Sequence, residues 1–151
     1  GNDILKQLLT NLEIIATLLE GDAKHLLDFL FEGNNAKNGG AIFIMADLII
    51  ENSQFIKNTA EEGGAIFVSG DGHVYLENTT FKQNSADSNG GGAIYSGKWV
   101  HAGNSIFELN TANGKGGAIK TDYIQFSGKN IFKFCTLLIC IANTPKPFYH
   151  K

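Results

Sequence analysis

At 151 residues, 43% apolar and 18% charged, the chain is long enough for one domain with a real core. All twelve basic residues are lysine, and without arginine there is no agent for bidentate recognition of phosphates or bases, so nucleic acid is not an expected partner. The net charge of −3 excludes little, and the longest apolar run near the C-terminus, residues 137–142, is too short to insert across a membrane.

In chain order, residues 3–20 place apolar side chains at Ile4, Leu5, Leu8, Leu9, Leu12, Ile15, Leu18 and Leu19. That spacing, with Asn2 or Asp3 as N-cap and Gly21 just past the end, predicts an amphipathic helix. Such a helix needs a surface to cover, and residues 1–22 are expected to cap the end of the segment that begins at residue 23. A degenerate first repeat is the competing reading, because Gly21-Asp22 before Leu26 and Phe29 parallels Gly70-Asp71 before Val74 and Leu76. No basic stretch of a signal peptide is visible at the start.

From residue 23 to 135 the chain repeats. Phe31, Phe55, Phe81, Phe107 and Phe132 are spaced 24, 26, 26 and 25 residues apart. Three residues after the first four stand Asn34, Asn58, Asn84 and Asn110, and beyond a short variable spacer comes Gly-Gly-Ala-Ile. The glycine pairs are Gly39-Gly40, Gly63-Gly64, Gly91-Gly92 and Gly116-Gly117. A period in this range marks a solenoid or propeller, and the short segments between glycine and asparagine clusters leave no room for a ten-residue helix. Helical repeats are excluded, and a parallel β-helix of about four to five coils satisfies the spacing.

In such a coil stack the columns acquire jobs. The Phe series is a core aromatic stack, and the Asn series an amide ladder. Asp28, Asn52, Asn78 and Asn104, three residues before each Phe, read as a second polar ladder. The sequon Asn78-Thr79-Thr80 then falls inside it, buried and structural. Gly-Gly permits a turn where side chains would collide, Ile42, Ile66, Ile94 and Ile119 refill the core, and the spacers of varying length are protruding loops. Phe43, Phe67, Tyr95 and Lys120 form a further column whose direction periodicity does not decide.

Paired Gly-Gly-Ala-Ile and Phe-x-x-Asn motifs on a β-helix resemble the passenger repeats of the polymorphic outer membrane proteins of chlamydiae, over roughly residues 28–134. The resemblance implies a surface-exposed autotransporter passenger, on the outer membrane or secreted, with an adhesive role toward host cells. With the chirality of β-crossovers, it also implies a right-handed coil. The expected fold is therefore an all-β solenoid, a right-handed parallel β-helix with an N-terminal capping α-helix.

Function is expected where the coils differ. If Leu48, Val74 and Val100, then Ile50, Leu76 and Ala102, point inward, their neighbours point out. The outward face then reads Asp47-Ile49-Glu51, His73-Tyr75-Glu77 and Trp99-His101-Gly103. Asp47, Ile49, His73, Tyr75, Trp99 and His101 form the candidate binding patch, since exposed aromatics rimmed by polar groups suit a host protein or glycan. The plainer reading is cross-strand stabilisation, Asp47 with His73 and Tyr75 with His101. A polysaccharide-acting enzyme is the third, with Glu51 and Glu77 one coil apart. Surface glutamates in a column are ordinarily solvated, so no catalytic residue is expected. No metal or cofactor is expected either.

The last unit decays. Cys135 stands where Asn belongs, and residues 136–151 contain no Gly-Gly-Ala-Ile, so they read as a cap or a truncated tail. Cys135 and Cys140 match no metal-ligand spacing and read first as two thiols, second as a local disulfide.

Overall fold

The computed structural model describes residues 23–135 and 140–143. The predicted helix over 3–20 lies outside them. Among the described residues every element is a strand and every strand pairing is parallel, giving a solenoid of about five turns.

Each coil crosses three sheets. The broad sheet stacks Lys24–Leu27, Leu48–Glu51, His73–Glu77, Ile94–Gly103, Ile119–Ser127 and Ile141–Asn143. Ile42–Ile44 and Ile66–Val68 pair with each other and with the start of Ile94–Gly103 in the same sheet. A second sheet stacks Leu30–Glu32, Gln54–Ile56, Thr80–Lys82, Ile106–Glu108 and Ile131–Lys133. A short third sheet, Thr59–Glu62, Ser85–Gly90 and Thr111–Ala112, carries the spacers. The first repeat is real but begins as a strand, with Leu26 in register with Ile50.

The register puts equivalent residues above one another, which explains the motif atom by atom. Consecutive rings of Phe31, Phe55, Phe81, Phe107 and Phe132 stack at 4.8, 4.8, 5.0 and 4.6 Å. Asn58, Asn84 and Asn110 are fully buried. The carboxamide oxygen of Asn84 accepts from the backbone N and Nδ2 of Asn58 at 2.9 and 3.0 Å, while its own Nδ2 donates to the Phe55 carbonyl at 2.9 Å. The ladder repeats this one coil up and one coil down. A buried amide satisfied on both sides is thus built by repetition alone.

The glycine pair divides its labour. The first glycine is left-handed, as at Gly63 with φ 62°. The second leaves no space, since a Cβ on Gly64 would collide with the Gly92 carbonyl of the next coil. Ala and Ile of each motif then lie fully buried.

The column of Asp28, Asn52, Asn78 and Asn104 differs from expectation. All four are left-handed, with φ between 48° and 63°, and all are exposed. One rung joins them, Asn78 Nδ2 donating to Asn52 Oδ1 at 2.8 Å, so these residues serve a sharp corner. Asn78 of the sequon is therefore at the surface, with Thr79 buried beneath it. The buried ladder is one residue further on: Ser53, Thr79 and Ser105 donate their hydroxyls to the carbonyls of Glu51, Glu77 and Gly103 and accept backbone N–H groups from the coil before.

Candidate functional site

The broad sheet alternates as expected. Leu48, Val74, Val100 and Ile50 are fully buried, with Leu76 and Ala102 at 3% and 1% exposure, so the residues between them are turned outward. Register then aligns three outward columns along the stack. The first holds Asp47, His73, Trp99 and Tyr123. The second holds His25, Ile49, Tyr75, His101 and Gln125, and the third Leu27, Glu51, Glu77, Gly103 and Ser127.

The structure brings four of the six expected residues into one ring cluster. Tyr75 and His101 stack at 4.5 Å and 7°, Trp99 lies 5.2 Å from His101, and His73 is 5.3 Å from His101 and 5.9 Å from Tyr75. Tyr123 extends the cluster, its ring 4.9 Å from Trp99. Ile49 lies one coil from Tyr75 and interrupts the ring column. Asp47 belongs to the frame, because its Oδ1 accepts from the backbone N of His73 at 2.8 Å. Sequence reasoning missed Tyr123, Gln125 and His25, although the alternation that named Trp99 and His101 continues through Asp122-Tyr123-Ile124-Gln125 and would have found the first two.

A chain of polar contacts runs through the cluster. His101 Nδ1 donates to Gln125 Oε1 at 3.2 Å, which leaves Nε2 to accept from His73 Nδ1 at 3.2 Å. Burial holds His101 below the ordinary histidine range, against the pull of the Gln125 bond; His73 pushes the same way as burial and Asp47 opposes it. At the edges, His25 Nε2 meets Glu51 Oε2 at 2.5 Å, and Asn104 Nδ2 donates to Glu77 Oε2 at 2.7 Å. Between Tyr75 and these carboxylates lies a cavity of about 310 Å³.

The motif column left open by periodicity also faces out. Phe43, Phe67 and Tyr95 are half-buried, with Phe67 stacked on Tyr95 and tilted 46° to Phe43, and Lys120 Nζ lies 5.2 Å from the Tyr95 ring centre. Burial, then Glu62 and Asp122, raise the Tyr95 phenol above its ordinary range. Among the described residues there is no group of three metal-ligating side chains, and no helix is long and apolar enough to cross a membrane.

A sequence model of the Chlamydia polymorphic membrane protein (Chlamydia_PMP) repeat matches the chain over residues 28–44, 52–69, 78–97 and 104–122. Each match begins at the left-handed Asp or Asn corner and runs through Phe, Asn and Gly-Gly into the strand of the next coil. No curated protein and no solved structure matches the chain.

Proposed function

Because the chain belongs to the Chlamydia polymorphic membrane protein repeat family, we propose that it is an adhesin-like module of an autotransporter passenger, displayed at the outer surface or secreted. It binds a host protein or glycan through its broad sheet and catalyses nothing. The observation that carries this reading is the ring cluster of His73, Tyr75, Trp99, His101 and Tyr123. It lies on the outward face, with Tyr75 37% exposed, whereas the motif residues Phe55, Asn58, Phe81 and Asn84 are fully buried. Buried motif residues hold the coil together, so partner choice falls to the outward residues that differ between coils.

Beads coated with the wild-type chain should attach to cultured host cells, and the Tyr75→Ala/Trp99→Ala double variant should lose most of that attachment with unchanged far-UV circular dichroism. Full attachment by the folded variant would remove the cluster from the reading. A scaffold role is the second reading, favoured by the near-parallel Tyr75 and His101 rings that occupy one another's faces. It expects the double variant to lose stability and no attachment by either protein. Release of reducing ends from a polysaccharide panel would instead point to an enzyme.

A further inference from the structure

We infer that the cavity beside Tyr75 receives a cationic side chain, lysine or arginine, presented by a protein partner. The inference rests on the adhesive reading above and names what the face would recognise. Its starting point is how the ring column is interrupted. Tyr75 and His101 are almost parallel and one coil apart, so their faces point along the stack. His101 covers one face of Tyr75. On the other side the register partner is Ile49, a branched aliphatic residue that separates Tyr75 from the next ring of the column, His25. The cavity runs beside this column, walled by Ile49, Tyr75 and His101 on one side and by Glu51, Glu77 and Gly103 on the other, and no lysine lines it.

Two carboxylates meet at this cavity without a cation between them. Glu51 and Glu77 are direct register partners, an arrangement of like charges that costs stability. Glu51 is engaged by His25 on one oxygen, and Glu77 by Asn104 on Oε2. The other oxygen of Glu77, Oε1, has no partner among the described residues. It rests over Gly103, where an added Cβ would collide with it, so the glycine leaves the place that this carboxylate occupies.

A cation answers all three features at once. It meets the Tyr75 ring at the cavity wall, donates a charge-assisted bond to Glu77 Oε1, and offsets the Glu51–Glu77 repulsion. The aliphatic stem of lysine or arginine would lie on Ile49. An anionic ligand is repelled by both carboxylates. A neutral sugar could bond them but would leave their repulsion in place. Charge complementarity therefore selects a basic protein segment as the occupant.

The test uses the whole chain, labelled with nitrogen-15, and Nα-acetyl-lysine methylamide or Nα-acetyl-arginine methylamide as the probe. Saturable shifts of the Tyr75, Glu77 and Gly103 amide signals are expected, with none for the norleucine analogue or methyl glycosides. Glu77→Gln and Gly103→Ala should each weaken the cation by about fivefold, the loss of one charge-assisted contact, while keeping the dispersed spectrum of a folded chain. Equal shifts with norleucine, saturation by a methyl glycoside alone, no shift with either cation, or wild-type affinity in folded Glu77→Gln would each overturn the inference. The bead assay separates the two levels. Attachment that depends on Tyr75 and Trp99 without cation binding sinks this inference alone, and cation binding without attachment sinks the adhesive reading.

Discussion

His101 carries the most consequential titration on the outward face. Its two ring nitrogens are both engaged in the neutral form, Nδ1 donating to Gln125 and Nε2 accepting from His73. A proton added at Nε2 meets the His73 donor until His73 changes tautomer, and burial adds to the cost of the charge. The folded pKa is therefore depressed below that of the unfolded chain. The unfolded chain then binds more protons in the window between the two values, so the stability His101 contributes is complete above about pH 6.5 and is lost as pH falls through the folded pKa. Thermal melts should show a lower Tm at pH 5 than at pH 7.5, and His101→Gln should flatten that difference; an unchanged slope in the variant would count against the assignment. The place of His101 was legible from alternation alone, because Val100 and Ala102 are buried on either side. Asn78 was not legible in the same way. A column of asparagines reads as a ladder from spacing, but φ of 52° at an exposed corner is a backbone fact that periodicity does not carry. The hydroxyls of Ser53, Thr79 and Ser105 sit next to the corners at Asn52, Asn78 and Asn104, and their burial follows from those corners.

At the scale of an element, the last coil replaces a motif by a covalent bond. Backbone N–H groups of Ala118 and Ile119 donate to the Cys140 carbonyl at 2.8 and 3.0 Å, as those of Ala65 and Ile66 donate to Ala93. Cys140 thus occupies the alanine column, Ile141 pairs with Ile119, and Cys135 stands three residues after Phe132 in the asparagine column. The two cysteines form a disulfide with Cα atoms 5.1 Å apart, where the sequence favoured two thiols. A sequence separation of 5 gives no hint of this; the long-range register of Ile141 on Ile119 brings the pair together. The bond ties the asparagine corner to the alanine corner without the Gly-Gly turn that joins them in other coils. Closing so short a loop is worth about 2 kcal/mol in the chain-entropy account. Reduction with dithiothreitol should lower the unfolding free energy by about that amount and speed amide exchange in 119–121, whose outer neighbour among the described residues is the strand Ile141–Asn143. Unchanged exchange after complete reduction would show that the coil closes without the bond.

Across the whole molecule, the parallel register makes each coil depend on its two neighbours, so stability is a sum over adjacent pairs. The Phe column is the best place to read that sum. Phe81 is fully buried between Phe55 at 4.8 Å and Phe107 at 5.0 Å. Phe132 is half-buried, stacked on Phe107 at 4.6 Å and meeting Phe126 edge-on at 5.8 Å. The sequence places both in one column without distinguishing them, because neighbour count is a property of the stack. Phe81→Ala removes contacts on both faces and leaves a cavity between two coils, at a cost of about 4 kcal/mol. Phe132→Ala loses one stacked face and should cost about half as much. Urea unfolding measures the two costs, and hydrogen exchange tells where they fall. Phe81→Ala should raise exchange in coils on both sides, from Gln54–Ile56 through Ile106–Glu108, whereas Phe132→Ala should leave Gln54–Ile56 protected as in the wild type. Equal costs with equal, global loss of protection would mean that the coils unfold as one indivisible unit and that nearest-neighbour coupling does not describe this solenoid.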